Sequence, residues 1–511
     1  MEPSRCHAWP KAPWTAPGLP AARLDLVTGR VPGVLIAVTL LATACTVNPA
    51  GLVRKGSATP APKKVAWSDC GSGFQCGTVD VPLDYSHPNA GSIGIAINRK
   101  PATDAKHRIG SLLINPGGPG GYGVSFVRDS AAGLSNLNQR FDLVGFDPRG
   151  VGQSSPVQCL DGSQLDAYKA IDSVLDDPQE KQAYIDADKS FVAACQQRSG
   201  KVLPFVDTVS AARDIDMIRA AVGDAKLTYL GFSYGTFLGE HYAHMFPTHI
   251  RAMVLDGVID PSLDANQQLL IYVNGFEQNL KAFLSDCSAR KAAAKPCQFA
   301  QSGDPGTKLM ALMQRLDTTP LVVGNRQLTR ALAVTGVQSA LMDEGIWPYL
   351  DQGLTNADRG SGQLLLQLAD LLYGEFSYAA NVAISCMDYP VDSNVASYDA
   401  LTQSFQKASP LFGPVWQYSN LVCANWPVKA KGTPGPLNAI GAPPVLIVGS
   451  TNDPATPYEG AVAVNKQIAG SVLLTRNGNG HTAYGSSQCA SQSEDVYLID
   501  LTLPAAGTVC Q

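Results

Sequence analysis

The sequence predicts an α/β fold: a mostly parallel sheet flanked by helices, with a helical lid inserted before the last strands. Three observations carry this. The apolar runs at 111–115, 141–146 and 227–230 do not alternate with polar residues, which is how strands buried on both faces of a parallel sheet read. Helical patterns at 210–222 and 234–245 separate strands in a β-α-β-α-β rhythm. That rhythm stops after Asp256-Gly257 and resumes at 444–448 and 472–475.

Taken in order, the chain opens with a Pro- and Trp-containing stretch and then an apolar run at 34–44, preceded by Arg23 and Arg30. The run is shorter than the ~20 residues that span a bilayer and ends in small residues, so it reads as a signal-peptide core. Its Leu-Ala-Thr-Ala-Cys ending points to membrane anchoring through a lipidated Cys45; plain cleavage is the alternative. Residues 1–45 are therefore read as an N-terminal extension and signal peptide, with the translation start near Val27 or Val31, and the protein as exported, either an envelope lipoprotein or secreted. Residues 46–66, rich in Pro, Ala, Lys and Ser, are a linker.

The α/β core begins with residues 67–261. Alternating runs at 78–83 and 93–98 flank a His-Pro-Asn-Ala-Gly turn and form a hairpin. Strands 111–115 and 141–146 follow. The helix at 210–222 shows Ala212, Ile215, Ile218 and Ala221 on one face, with Thr208 or Ser210 as its cap. Strand 227–230, helix 234–245 and strand 252–255 complete this stretch. Residues 262–438 are a helical lid, with helices at 267–285, 307–316, 328–342, 362–372 and 400–407. The α/β core then resumes over 439–511, where strands return.

The composition excludes some classes. Net charge is −5, charged residues make up 16% and no basic tract occurs, so no nucleic-acid partner is expected. With Cys6 and Cys45 set aside, ten cysteines remain, an even set suited to five disulfides in an exported chain. Locality pairs Cys70–Cys76, Cys159–Cys195, Cys287–Cys297, Cys386–Cys423 and Cys489–Cys510. No Cys-x-x-Cys or Cys/His cluster is present, so no metal and no cofactor are expected.

The chemistry centres on Gly231-Phe232-Ser233-Tyr234-Gly235, a Gly-x-Ser-x-Gly turn between strand and helix that pushes the serine hydroxyl into a cleft. A serine nucleophile needs a base and an acid to orient that base. Of seven histidines, His481 alone sits in a late, glycine-lightened loop after a strand. The acid belongs between Ser233 and His481. Asp453 follows strand 445–448, and Asp256, also at a strand end, is the runner-up. The oxyanion donors are assigned to the N–H of Tyr234, just after the serine, and of Gly118 in Asn115-Pro116-Gly117-Gly118-Pro119-Gly120-Gly121.

These motifs stand in a fixed order with Phe141 to Gly150 (ending Asp-Pro-Arg-Gly), Asp453-Pro454-Ala455-Thr456-Pro457 and Gly480-His481-Thr482. As a set they resemble the α/β-hydrolase serine peptidases related to prolyl aminopeptidase, above all the exported actinobacterial tripeptidyl aminopeptidases and carboxylesterase-annotated envelope proteases. The resemblance runs from about Trp67 to Cys510. Prolyl aminopeptidases usually carry His where Asn115 stands, so this chain sides with the tripeptidyl branch. The resemblance implies Ser233, Asp453 and His481 as the triad.

The expected activity is release of short (tri)peptides from free N-termini through an acyl-enzyme. The alternative is a carboxylesterase or lipase acting on envelope lipids, which the same triad would serve. Either way the partner is a peptide or small ester. A peptidase of free N-termini needs a carboxylate for the substrate ammonium. Asp388, anchored through neighbouring Cys386, is the expected residue, with Glu344 and Glu277 as alternatives.

Overall fold

The computed structural model describes residues 61–511, so the signal-peptide region and Cys45 lie outside the described residues. Its centre is a ten-stranded sheet in the order β1-β2-β3-β5-β4-β6-β7-β10-β11-β12. The strands are β1 Ser68–Asp69, β2 Gln75–Pro82, β3 Ser92–Lys100, β4 Gly110–Asn115, β5 Phe141–Phe146, β6 Leu227–Phe232 and β7 Ile250–Asp256. A small separate hairpin, β8 Leu321–Val323 with β9 Arg326–Leu328, belongs to the insertion. The main sheet closes with β10 Leu446–Asn452, β11 Val472–Asn479 and β12 Val509–Cys510.

Pairing is antiparallel from β1 to β5 and parallel from β5 through β4, β6, β7, β10 and β11 to β12. The central strands are covered on both faces, as their unbroken apolar runs required. Leu113, Val144, Tyr229 and Ile447 feed one core, while Leu112, Leu143, Leu230 and Val448 feed the other. The parallel strand ends then converge where a crevice can form.

The Asp147-Pro148-Arg149-Gly150 turn explains itself here. Arg149 is fully buried and grips Asp214 through two bonds of 2.6 Å, from Nε and Nη2. Its remaining N–H groups donate to the carbonyls of Pro82, Leu83 and Phe205. One guanidinium thus ties the hairpin end to the helix Thr208–Val222, whose cap is Asp207 rather than Thr208 or Ser210. Asp207 wins because its carboxylate already points at the Ser210 N–H.

The insertion has its own core, built on Phe276, Phe283, Leu312, Val337, Leu350, Leu365 and Phe412. Its helices include Ala265–Ala289, Pro305–Thr318, Arg330–Leu341, Gln363–Gly374 and Tyr378–Asp388. Five disulfides join Cys70–Cys76, Cys159–Cys195, Cys287–Cys297, Cys386–Cys423 and Cys489–Cys510. Asp351 approaches the Cys287–Cys297 pair, but those sulfurs are bonded to each other and its carboxylate accepts from the N–H groups of Gln298 and Phe299.

Candidate active site

Ser233 stands between β6 and the helix Tyr234–Met245 at φ 55° and ψ −125°. A side chain in that region costs about 1–3 kcal/mol and persists only where the surroundings hold it. The Ser233 N–H donates to the Asp256 carbonyl at 3.0 Å. The Ser233 carbonyl accepts from Thr236 N at 2.8 Å and Thr236 Oγ1 at 2.7 Å. The flanking glycines are dictated by crowding: a Cβ on Gly231 would lie 2.5 Å from the Gly235 carbonyl, and one on Gly235 2.7 Å from that of Asn115.

His481 and Asp453 are brought together at the ends of β11 and β10. His481 Nδ1 lies 2.9 and 3.0 Å from the two Asp453 oxygens. Asp453 is 2% exposed, and its carboxylate also accepts from the N–H groups of Ala455 (2.9 Å), Thr456 (2.8 Å) and Thr482 (3.0 Å). This donor set aims the carboxylate at the imidazole, and it leaves Nδ1 protonated and Nε2 able to take a proton. Burial works against a charged imidazole, yet Asp453, with Asp256 and Glu375 behind it, holds His481 above its ordinary value. Among the described residues no hydrogen bond joins Ser233 Oγ to the His481 ring. In unliganded sites of this kind that bond is often long and closes with substrate.

Asp256, the runner-up acid, sits under the same loop but does not touch the imidazole. Its oxygens accept from the N–H groups of Ala483 and Tyr484 at 2.9 Å. Burial pushes its carboxyl up to about 6. It anchors the chain beyond His481 while its carbonyl anchors Ser233.

The glycine loop lies against the serine turn. A Cβ on Gly117 would sit 2.8 Å from Ser233 Cβ and 3.1 Å from Tyr234 N. The Gly117 N–H is spent on Asn115 Oδ1 at 3.0 Å. The N–H groups of Gly118 and Tyr234 have no hydrogen-bond partner among the described residues. N–H groups left unspent in the serine turn and in the glycine loop packed against it are the kind of donor that stabilises an anion developing on a carbonyl oxygen under attack.

The insertion supports each of these elements. Met342 accepts the His481 N–H at 2.8 Å. Asn279 Nδ2 donates to the Asn452 carbonyl at 3.0 Å, and a Cβ on Gly275 would lie 3.1 Å from the Asp453 carbonyl. Sequence patterning marked these helices but held no signal for which residue of each would meet the site.

Asp388, the residue expected to hold a substrate ammonium, is bonded within the protein. Asp388 is 6% exposed, and both its oxygens are engaged by Thr208, from N at 2.8 Å and from Oγ1 at 2.5 Å. Glu277 is likewise engaged by Ser409 and Lys281. Glu344 is exposed and accepts from Asn479 Nδ2 at 3.3 Å. A further carboxylate, which sequence reasoning did not single out, is Glu375. It directly precedes Phe376, which bridges to Gly121 of the glycine loop. Solvent reaches Glu375, but the surrounding protein pushes its carboxyl up, opposed by the nearby His481 charge. A lone Glu after a leucine-rich helix carries no local mark of this position.

Residues 409–510 match the family described as TAP-like protein. The chain is 35% identical over 483 residues to serine protease Hip1 of Mycobacterium tuberculosis, covering 87% of this chain and 91% of that one. It is 35% identical over 471 residues to a tripeptidyl aminopeptidase of Streptomyces lividans, covering 87% and 86%. It is also 35% identical over 456 residues to carboxylesterase B of Mycobacterium tuberculosis, covering 85% and 86%.

Proposed function

Given that this chain belongs to the α/β-hydrolase serine peptidases that include the tripeptidyl aminopeptidases, we propose that it releases short peptides, tripeptides among them, from free N-termini. What supports this is the hydrogen-bonded His481–Asp453 pair, together with the Ser233 turn held on Asp256 and the unspent N–H groups of Gly118 and Tyr234. In the proposed mechanism Ser233 Oγ attacks the scissile carbonyl as His481 Nε2 takes its proton. Asp453 supports the imidazolium, and the Gly118 and Tyr234 N–H groups hold the oxyanion. His481 then returns the proton to the leaving amine, and water repeats the sequence on the acyl-enzyme.

Glu375 supplies the amino-end recognition in this reading. Its neighbour Phe376 bridges to Gly121 of the glycine loop, and its carboxylate is within electrostatic reach of His481. Residues 262–438 act as the lid that limits how much chain extends beyond the substrate's N-terminus. The five disulfides support folding in an oxidising compartment, hence export, with lipidation of Cys45 as the anchor.

The test replaces Glu375 by Gln. Peptide amides with a free amine should lose about 10- to 100-fold in kcat/KM, while blocked peptides and simple esters keep theirs, because a charge pair is removed from one end of one substrate class. Equal rates on free and blocked peptides in the unmodified enzyme would favour the second reading, a carboxylesterase, which the carboxylesterase B relative keeps in view.

A further inference from the structure

One helix of the insertion, Tyr378–Asp388, reaches both segments that carry the oxyanion donors, the glycine loop directly and Tyr234 through Thr208. At its start, the Ser377 N–H donates to the Gly120 carbonyl and Asn381 Nδ2 donates to the Pro119 carbonyl, each at 3.0 Å. The fit is close: Gly120 has φ 90°, and a Cβ there would lie 2.8 Å from the Ser377 carbonyl. At its end, Asp388 takes both donors of Thr208. Thr208 Oγ1 has a single proton, and it goes to Asp388. When Asp388 is ionised, the Tyr234 hydroxyl, in contact with the same Oγ1, donates its own proton to Thr208. Asp388, Thr208 and Tyr234 are 6, 1 and 5% exposed, so this chain of bonds runs out of competing water.

The two ends of the helix thus reach the two donors by separate routes. Asn381 and Ser377 fix the residues next to Gly118. Asp388 fixes the ring of Tyr234, and with it the first residue of the helix whose leading N–H faces the serine. The C-terminal end is itself held, by Cys386–Cys423 and by the N–H groups of Lys431 and Gly432 on the Met387 carbonyl.

We propose that Tyr378–Asp388 is a brace for the oxyanion hole, with Asn381, Asp388 and Thr208 as positioning residues for hydrolysis. None of them touches substrate. They set the separation of the two N–H donors, so the insertion governs the chemical step as well as access. This rests on the proposed roles of Ser233, Gly118 and Tyr234.

The experiment uses a small acetate ester, so that amino-end recognition plays no role, and a peptide aldehyde, whose adduct with the serine places an oxyanion in the hole. The variants are Asn381→Ala, Asp388→Asn, Thr208→Val and Thr208→Ser. Removing a donor outright costs about 10²- to 10³-fold in kcat. Misplacing one should cost less, about 10- to 100-fold, with KM within about twofold. Aldehyde affinity should fall in parallel with kcat. Thr208→Ser keeps the hydroxyl and should retain most of the activity that Thr208→Val loses. Asn381→Ala combined with Asp388→Asn should lose more than either alone, because the two act on different donors. Tyr234→Phe removes only the hydroxyl and should match Asp388→Asn, which covers the case where the buried Asp388 variant fails to fold. Wild-type kcat in Asp388→Asn and Thr208→Val would overturn the brace, as would losses of kcat that leave aldehyde affinity unchanged. Failure of the unmodified protein to take a fluorophosphonate at Ser233 would instead overturn the hydrolase mechanism beneath it.

Discussion

Replacing Asp453 by Asn should nearly abolish turnover while leaving a folded protein. The carboxylate has two oxygens and serves four donors: the N–H groups of Ala455, Thr456 and Thr482, and His481 Nδ1. In the amide, one oxygen remains and the other position becomes an NH₂ group. If the oxygen stays with Ala455 and Thr456, the NH₂ faces the Thr482 N–H and His481 Nδ1. The Thr482 N–H then loses its acceptor, at about 1–3 kcal/mol of stability. Where Nδ1 accepts from that NH₂, the imidazole proton moves to Nε2, the nitrogen that has to receive the serine proton. The equivalent exchange in a serine-protease triad costs about 10⁴ in kcat, or about 5 kcal/mol in the barrier. Asp256→Asn leaves the tautomer alone, because Asp256 bonds only the N–H groups of Ala483 and Tyr484. It should cost about tenfold through loosened positioning. The assay is kcat on one ester and one peptide amide, with circular dichroism and melting curves for each variant. A loss below about 100-fold in Asp453→Asn, or a larger loss in Asp256→Asn, would refute this account of the acid.

Two further outcomes follow from the structure. kcat/KM should rise with pH through the titration of His481, since only the neutral imidazole can accept the serine proton. The midpoint should lie above the ordinary value of 6.5, because Asp453 outweighs the effect of burial. The same raised value means that this histidine's contribution to folding stability is full below about pH 6.5 and declines as pH rises through the folded-state value. A rate profile with its midpoint below 6.5 would contradict the electrostatics described here. Separately, Arg149→Leu should destabilise the fold by about 3–5 kcal/mol, because Asp214 would be left buried and unpaired. Urea denaturation should show it; a change under about 1 kcal/mol would mean water or another cation compensates Asp214.

How much could be read in advance depends on the range of the forces involved. Strand β5 and the helix Tyr234–Met245 match their predicted bounds, because a buried parallel strand and a serine turn are written in consecutive residues. The 22-residue helix Pro178–Ser199 was not legible. It buries only Asp188, Phe191, Val192, Cys195 and Ser199, too narrow a stripe to register as a period. Strands β1 and β12 have two residues each and exist only through their neighbours. Within the site, His481 and Asp453 stood out because loops after strands are local features. Asp388 and Glu375 did not separate on sequence: each is an acid at the end of a helix, and what distinguishes them, Thr208 on Asp388 and the bridge of neighbouring Phe376 to Gly121, comes from residues distant in the chain.

The disulfides have a consequence for how the chain is assembled. Each bridge joins a cysteine to the next one along, with separations of 6, 36, 10, 37 and 21 residues, and no loop overlaps another. If the cysteines emerge one after another into an oxidising space, the nearest free partner is the native one at every step. Native connectivity then requires no shuffling, and a wrong pairing would have to skip a cysteine that had already appeared. Among the described residues no bridge links the insertion to the sheet on either side of it, so the two are joined there by peptide bonds and by contacts such as Met342 on His481 and Asn381 on Pro119. A chain stalled before its insertion had docked would be fully oxidised, locally folded and still without an assembled site.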